Sequence, residues 1–564
     1  MSIWDWLVLC GTLAFIAVYG IWKTRGSKNI EGYLMGDKSS KWWGICLSIM
    51  ATQASAITFL SIPGQAYADG MGFIQIYFGL PIAMVIISIT AVPLYAKLKV
   101  YTAYEYLESR FDVKTRTFAA LLFLVSRGLA TGITIYAPSI ILSAILGWNL
   151  NLTTIVICGV VVIYTVSGGT KAVSVTQQQQ MAVAMGGMLV ALIVIVYKLY
   201  DDISLVDSVK VAGKLGKMNL VDFSLDLSNR YNFWSGILGG LFLSLSYFGT
   251  DQSQVARYIS GESVTESRLG LLFNGLLKIP MQFFILFIGV MVFVFYQYHQ
   301  PPAFFNKNEL ELAKQSPYAP QIKQLEEKGH QLFEEKNKET RLMVKSFRKY
   351  DDQAVEESKE RLQLLSKEEA AVKKQVTETI GKANPDAELK DTDYIFLTFI
   401  MEEMPIGLVG LLIAVIFCAA MSSTSSQLNA LASSTCVDIY KRSIYSNGSE
   451  RHYLNASRLF TILWGFLILL FAIVAAQLEN LIQAINILGS LFYGTILGIF
   501  LAAFYVSYIK SRAVFIAAIV AELTVLACFF ATNIGYLWYN VIGCGMVIVV
   551  GLLVEVVSNR NKVV

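Results

Sequence analysis

The chain has 564 residues, of which 55% are hydrophobic and 15% charged, and its mean hydropathy is +0.55. Soluble globular proteins are about one quarter charged, so this composition excludes that class and predicts a polytopic membrane protein. The net charge of +4 is too small to favour nucleic acid as a partner, and a lipid bilayer is the expected environment.

Apolar stretches of about twenty residues, the length that crosses a bilayer as a helix, recur along the chain. Basic residues gather in the connections after the first, third, ninth, eleventh and last of these stretches. Because such connections stay in the cytoplasm, the pattern predicts an N-terminus outside and a C-terminus inside. About 13 transmembrane helices are predicted, at residues 4–22, 42–66, 74–97, 118–147, 152–168, 178–199, 233–258, 271–297, 407–438, 456–477, 480–507, 511–531 and 536–556.

Spans two and seven lie five spans apart and enter the membrane from opposite sides under this topology. An inverted repeat of five plus five helices has this arrangement, here with one span before it and two after it. We therefore divide the all-α chain into a first part of the transmembrane core at 1–298 (spans one to eight), a polar insertion at 299–392, and a second part of the core at 393–564 (spans nine to thirteen).

The insertion is rich in Glu, Lys and Gln and carries apolar residues such as Leu325 and Leu342 at helical spacing. This pattern predicts a mostly helical extracellular hairpin, bounded by Pro302 on one side and Pro385 on the other. Charged amphipathic helices of this kind present a solvated face or dock an accessory protein.

Two spans carry small and polar residues in the middle of an apolar run. They read ATQASAITFLSIPGQAYADG at 51–70 and GLFLSLSYFGTDQSQVARYISG at 240–261. An unsatisfied backbone group costs several kcal/mol in hydrocarbon, so a helix broken at this depth survives only where its freed groups face protein, an ion or water. Such a pair of interrupted spans is typical of the binding site of a secondary transporter.

Five hydroxyl residues in a row, at 422–426, lie inside span nine. Oxygen ligands suit a hard cation such as Na⁺, and unwound carbonyls of span two would complete the set that neighbouring hydroxyls begin. A single serine in a membrane helix more often packs closely or bonds back to its own helix, but five opposite a broken helix favour the ion. The predicted sodium ligands are two neighbouring hydroxyls of this run, the Ala419 carbonyl one turn earlier, and unwound carbonyls of span two around Ala51 and Ala54.

Three of the charged residues inside predicted spans bear on the solute site. Asp251 follows Tyr-Phe-Gly-Thr in span seven, Arg127 lies about 13 Å along span four from its cytoplasmic end, and Lys278 lies in span eight. A carboxylate at this depth costs about 2.5–3.5 kcal/mol and needs a partner or a polar cavity. Either base can pair with Asp251, reach the interface, or meet an anionic or hydroxylated solute.

Several stretches, among them ATQASAITFLSIPGQAY, YEYLESRF, GTDQSQVARY, LLKIP and AAMSSTSSQLNALASSTCVDIY, are similar to motifs of the sodium/solute symporter family. That family includes carriers of sugars, sialic acid, iodide, vitamins and monocarboxylates. The resemblance implies a LeuT-like fold that works by alternating access, with Na⁺ as the coupling ion. Its sodium site would be formed by carbonyls matching Ala51, Ala54 and Ala419 and hydroxyls matching Ser422 and Ser423, which coincides with the site predicted above. It further implies solute-binding residues at Gln53, Ser55, Thr58, Asp251, Gln252, Lys278 and Asn486, to which the charge argument adds Arg127.

One position departs from the family pattern. Many relatives carry an aspartate that in some members helps to hold a second sodium ion, and this chain has Gln177 there. A neutral amide keeps an oxygen ligand but loses the charge, so a second site at Gln177 and Ser425 is in doubt. We expect one sodium ion per solute.

The sequence therefore predicts a sodium-coupled secondary active symporter in the cell membrane that imports a small organic solute. The solute is a sugar, sialic acid or an organic anion. Arg127 falls about one turn before the arginine that some sialic acid carriers use, so sialic acid is not singled out. No set of nucleophile, histidine and carboxylate predicts an enzyme; the alternative is a transporter-like solute sensor that signals through a partner.

Overall fold

The computed structural model describes residues 1–24, 40–98, 100–385, 387–475 and 481–560. Within these ranges the chain is all-α, and its extended pairing is limited to one isolated bridge between Ser40 and Gly261. Five basic residues that contributed to the predicted orientation lie outside the described residues: Arg25, Lys28, Lys38, Lys99 and Lys562.

Helices of the first part of the core follow the predicted spans. They are α1 (Ile3–Thr24), α2 (Trp42–Gln53), α3 (Ala56–Asp69), α4 (Leu80–Ile89), α5 (Ala91–Leu98), α6 (Glu105–Arg110), α7 (Val113–Leu146), α8 (Leu150–Leu199), α9 (Leu205–Lys214), α10 (Gly240–Gly249), α11 (Gln252–Tyr258) and α12 (Val264–Tyr298).

The insertion and the second part of the core are helical as well. Their helices are α13 (Lys307–Lys314), α14 (Ala319–Lys349), α15 (Asp352–Ala383), α16 (Ile395–Glu403), α17 (Leu408–Ser434), α18 (Glu450–Ala475), α19 (Leu481–Tyr505), α20 (Ser511–Ala531) and α21 (Leu537–Arg560).

Nine helical stretches in the described part of the chain are long and apolar enough to cross a membrane, and α2 with α3 makes a bent tenth. Shorter apolar helices at Ile3–Ile16, Leu150–Val166 and Ser235–Gly249 coincide with further predicted spans. The count of thirteen and the sides on which the termini lie stay predictions, and "outer" below means the side that the predicted topology places outside.

Predicted spans five and six both lie in α8, as the separate apolar segments Leu150–Val166 and Thr176–Leu199. Tyr164 Oη lies 3.0 Å from Thr176 Oγ1, although twelve residues of straight helix would separate their backbones by about 18 Å. The two segments therefore do not continue one another as one straight helix.

The insertion folds as an antiparallel pair of long helices, α14 and α15. Tyr350 makes the turn between them with a left-handed φ of 55°, and Asp351 caps α15 by accepting from the Ala354 amide. Leu325 and Leu332 are buried in the seam of the pair, whereas Leu342, which the helical spacing also marked as apolar contact, is exposed.

Close backbone contacts fix the outer half of span two. A Cβ atom on Gly289 of α12 would overlap the backbone of Pro63 of α3, so only glycine permits this approach. Gly159 on α8, by contrast, has no atom within 4 Å of the position that a Cβ would take.

Replacing Gly289 with alanine should lower the stability of the purified protein by about 1–3 kcal/mol, because the added methyl forces α12 away from α3. Thermal unfolding in detergent measures this effect, and Gly159→Ala is the matched control that should leave the midpoint unchanged. Equal midpoints for the two variants would show that the helices do not approach this closely.

Candidate functional site

Span two is broken between α2 and α3, whose axes differ by 62°. In a continuous helix the amides of Ser55 and Thr58 would donate to the carbonyls of Ala51 and Ala54. Here the Ser55 amide donates to the Gln53 carbonyl, and the Thr58 amide donates to the Ser55 carbonyl, each at 3.0 Å. The carbonyls of Ala51 and Ala54 thus lose their helical donors although both residues are buried.

One glutamine joins the inner half of span two to the hydroxyl run of α17. Gln177 on α8 accepts from Ser48 Oγ at 2.5 Å and donates through Nε2 to Thr52 Oγ1 at 3.0 Å and Ser426 Oγ at 2.8 Å. Ser426 Oγ in turn donates to the Ser422 carbonyl at 3.0 Å. Because Thr52 adjoins the break, these bonds hold the break against the hydroxyl run.

The hydroxyls that face this junction are only partly satisfied. Ser423 Oγ donates to the Ala419 carbonyl at 2.9 Å, and Ser422 Oγ is buried with no hydrogen-bond partner among the described residues. Buried polar atoms without partners are costly, so each one marks a position where a ligand would be favourable. All of the predicted sodium ligands are buried: Ala51, Ala54, Ala419, Ser422 and Ser423.

The two residues predicted for a second sodium ion are already engaged. Ser425 Oγ accepts from Thr165 Oγ1 at 3.0 Å. Gln177 uses its single side-chain oxygen and both amide hydrogens in the bonds described above. The Gln177 oxygen keeps a second lone pair, but it is uncharged and already accepts a hydroxyl hydrogen, which makes it a weak ligand for a second cation.

Asp251 and Arg127 form a buried ion pair in the core. Tyr493 Oη donates to Asp251 Oδ2 at 3.3 Å, while Ser253 donates to Oδ1 through its amide at 2.9 Å and its hydroxyl at 2.6 Å. The guanidinium lies 5.2 Å from the ring centroid of Tyr247. Of the roles that the sequence left open for Arg127, structural pairing with Asp251 is the one observed.

Tyrosine hydroxyls donate to the backbone carbonyls at the break in span seven. Tyr95 Oη donates to the Gly249 carbonyl at 2.9 Å, and Tyr104 Oη donates to the Thr250 carbonyl at 3.0 Å. These carbonyls lie between α10 and α11, where Asp251 has extended backbone geometry. The freed groups of span seven therefore bind protein, whereas those of span two face the hydroxyl run.

The remaining predicted solute residues divide into two groups. Gln252 and Asn486 are tied to the backbone: Gln252 bridges the Tyr101 carbonyl and the Ala103 amide, and Asn486 bonds to its own helix. Gln53, Ser55 and Thr58 lie at the break in span two, and Gln53 Oε1 is buried with no partner among the described residues.

Lys278 is a buried cation of α12, the helix that packs against both halves of span two. Its side chain is 1% exposed, and its ammonium lies 5.8 Å from the ring centroid of Tyr77. No carboxylate in the described part of the chain lies within 4 Å of it. An uncompensated charge at this depth is expensive, which marks it as a functional candidate.

Polar networks close the core at both ends. On the outer side, Gln483 of α19 donates to Gln65 of α3 at 3.2 Å and accepts from Arg230 at 2.6 Å. On the inner side, Arg116 binds Asp438 at 2.7 Å and Glu108 at 2.8 Å.

Sequence reasoning missed several of these partners. Ser48 and Thr52 lie four residues apart on one face of α2, a spacing that could have indicated a shared partner. Tyr247 and Tyr493 carry no such signal, because tyrosines in apolar helices are common and their contact with Arg127 depends on the packing of α10 and α19 against α7.

A sequence profile described as the sodium:solute symporter family matches residues 33–307 and 375–521. The chain belongs to the sodium:solute symporter family. The matched ranges leave out most of the α14–α15 hairpin, so this symporter carries an addition to the part that defines the family.

Relatives of this symporter include the sodium/sialic acid symporter SiaT of Proteus mirabilis, at 27% identity over 97% of this chain and 94% of that protein. The human sodium/iodide cotransporter is 32% identical over 52% of this chain and 46% of its own length. A solved substrate-bound, outward-open structure of a Na⁺-coupled sialic acid symporter superposes with a TM-score of 0.75, at 25% identity over 99% of this chain and 98% of that one.

The symporter is therefore a multi-pass membrane protein with a LeuT-like fold that couples solute transport to Na⁺ and is not an enzyme. The expectations for family, fold class and coupling ion are confirmed. The individual ligands remain predictions.

Removing one partner of the Arg127–Asp251 pair should destabilise the symporter by about 3–5 kcal/mol, because the other charge is left buried and unpaired. We expect Arg127→Met to lower the midpoint of thermal unfolding without solute, and the double variant Arg127→Met, Asp251→Asn to recover most of the loss. A double variant no more stable than the single one would show that the two charges do not compensate each other.

Proposed function

We propose that this chain imports a small carboxylate-bearing sugar of the sialic acid class together with one sodium ion. The observation that carries the sodium part is the break in span two, where two buried carbonyls without helical donors are held against a run of hydroxyls on α17. Carbonyl and hydroxyl oxygens are the ligands that hard cations prefer.

The proposed sodium ligands come from two elements that move relative to each other. Ala51 and Ala54 offer carbonyls at the break, while Ala419, Ser422 and Ser423 offer a carbonyl and two hydroxyls from α17. Sodium shared between the two elements holds them together, and its loss to the cytoplasm releases them. Sodium binding orders the break and thereby favours binding of the solute. This linkage between the two ligands is what symport requires.

The charges of the core favour an acidic solute over a neutral one. The guanidinium of Arg127 is neutralised by Asp251, whereas Lys278 has no carboxylate partner in the described part of the chain. A carboxylate on the solute would compensate this buried ammonium. SiaT, which is similar to this chain over 94% of its own length, is named as a sodium/sialic acid symporter, and this also favours the sialic acid class. A neutral sugar is the second candidate, favoured if Lys278 is held uncharged.

The hydrogen bonds that the Gln177 side chain makes to Ser48, Thr52 and Ser426 support a stoichiometry of one sodium ion per cycle. One sodium ion with one monoanion moves no net charge, so the membrane potential does no work on the cycle. The sodium gradient alone then drives uptake, and a tenfold gradient concentrates the acid about tenfold, equivalent to about 1.4 kcal/mol.

Docking of an accessory protein at 299–392, and the sensor alternative that depends on such a partner, remain predictions. Several charged residues of the insertion bind the chain itself, as Arg341 does with Asp202 at 2.6 Å. These contacts favour the interpretation that the insertion is a fixed part of the transporter and not a free arm that docks a partner.

Replacing Ser423 with alanine should raise the sodium concentration for half-maximal uptake by about tenfold, the order of effect found for groups around metal sites. The variant removes one proposed ligand and no ion pair, so the protein should still fold. Uptake into proteoliposomes at graded sodium concentrations measures the effect.

Ser433→Ala is the matched control, because Ser433 lies on the same helix and bonds only back to the Asn429 carbonyl. An unchanged sodium response in Ser423→Ala, equal to that of the control, would overturn the assignment of this ligand.

Labelled N-acetylneuraminate should accumulate in proteoliposomes under a sodium gradient and not under a potassium gradient. An imposed inside-negative potential should leave the sodium-driven rate unchanged, since the proposed cycle is electroneutral. Strong acceleration by the potential would require a second cation and would contradict the proposed stoichiometry.

Lys278 provides the control for solute class. Lys278→Met should abolish uptake of the acid while sodium still raises the midpoint of thermal unfolding, because the sodium ligands are untouched. Undiminished uptake by Lys278→Met would remove the argument for a carboxylate.

A further inference from the structure

A cavity of about 1120 Å³ lies on the outer side of the molecule, between the insertion and the outer ends of α3 and α12. Its floor is aromatic: Tyr67 of α3 packs with Phe293, Tyr296 and Phe305, at ring centroid distances of 5.7–6.0 Å. Its walls are α14 and α15. None of the sodium or solute residues discussed above lines this cavity.

The walls are fixed to the transporter. Asn337 of α14 donates to the Gln297 carbonyl of α12 at 2.8 Å, and Arg348 binds Asp207 of α9 at 3.2 Å. With the pair between Arg341 and Asp202, these contacts hold the C-terminal third of α14. The α14 residues that line the cavity lie in the preceding part of the same helix.

Positive charge predominates in the lining, which has six lysines against four glutamates. Some of the lysines are neutralised: Lys336 binds Glu369 at 2.5 Å, and Lys373 binds Asp391 at 2.9 Å. Lysines that line the cavity without a carboxylate within 4 Å in the described part of the chain are Lys217, Lys323 and Lys367.

Lys217 is the least exposed of these three lysines. It donates to the Ala68 carbonyl at the outer end of α3, and its ammonium lies 4.8 Å from the ring centroid of Phe293. Burial lowers the pKa of Lys217 to about 8, and the charge of Lys336 acts in the same direction against that of Asp69. An anion beside Lys217 would compensate this burial.

Two further polar atoms at the cavity have no partner. Tyr296 and Gln297 both line it, each residue is more than nine-tenths buried, and Tyr296 Oη and Gln297 Oε1 make no hydrogen bond to any described residue. The glutamine oxygen requires a donor, while the tyrosine hydroxyl can donate or accept. A hydroxylated ligand supplies both.

We propose that this cavity is a second binding site for a carboxylate-bearing sugar, with the carboxylate at Lys217, ring hydroxyls at Tyr296 and Gln297, and the apolar face of the ring on the aromatic floor. The proposal rests on the proposed function in taking the transported acid as its ligand. Because Tyr67 belongs to the outer half of span two, a ligand here contacts an element that moves during transport.

The test is binding of N-acetylneuraminate to the full-length protein in nanodiscs, measured calorimetrically in potassium buffer, where no sodium supports the central site. We expect the wild type to bind, Lys217→Met to bind about tenfold more weakly through loss of a charge-assisted hydrogen bond, and Tyr296→Phe to bind more weakly too. Lys345→Met, which removes an exposed lysine of α14 outside the cavity, should bind as the wild type does.

The methyl ester of the same sugar lacks the charge and should bind the wild type and Lys217→Met alike. Wild-type protein that does not bind the acid in potassium, or Lys217→Met that binds it as tightly as Lys345→Met, overturns the proposal. Tyr296→Phe keeps the test valid if Lys217→Met does not fold, and undiminished binding by Tyr296→Phe then overturns the proposal as well.

Sodium-driven uptake separates this proposal from the proposed function. Binding that depends on Lys217 without sodium-driven uptake of the acid would leave the cavity site standing and refute the transported solute. Uptake without binding that depends on Lys217 would refute the cavity site alone.

Discussion

Backbone carbonyls that lose their helical donors inside a membrane must find another partner, and this constraint shapes the core of the transporter. The break in span two exposes the carbonyls of Ala51 and Ala54, and the hydroxyl run of α17 lies opposite. Gln177 fixes the distance between the two elements by bonding to both. The break in span seven solves the same problem differently, since the hydroxyls of Tyr95 and Tyr104 cap its carbonyls. We propose the first break as the ion site, whereas protein hydroxyls already bond the carbonyls of the second.

The buried charges obey a similar constraint, because a charge in the interior needs a compensating partner. Asp251 and Arg127 neutralise each other, and Tyr493 and Tyr247 pack around the pair. Lys278 in the core and Lys217 at the cavity under the insertion are two lysines without a carboxylate within 4 Å in the described part of the chain. Both positions would be stabilised by an anion, which is why a single class of solute suits the two sites.

Much of the fold was predictable because it depends on local pattern. Apolar length placed the spans, small and polar residues placed the two breaks, and helical spacing placed the hairpin of the insertion. Contacts between distant helices were not predictable: Arg127 and Lys278 were equal candidates as partners of Asp251, and only the packing of α7 against α10 and α19 decides between them. The partners of Gln177 escaped for the same reason, because Ser48, Thr52 and Ser426 come from two other helices.

The central claim is that sodium binds between the break in span two and the hydroxyl run of α17. Cryo-electron microscopy of the purified protein in saturating sodium, compared with potassium alone, tests it most directly. The account predicts density coordinated by the carbonyls of Ala51 and Ala54 and the hydroxyls of Ser422 and Ser423 in sodium, and none there in potassium. A map in sodium that shows these hydroxyls bonded to protein alone, with no density between them and the carbonyls, would contradict it.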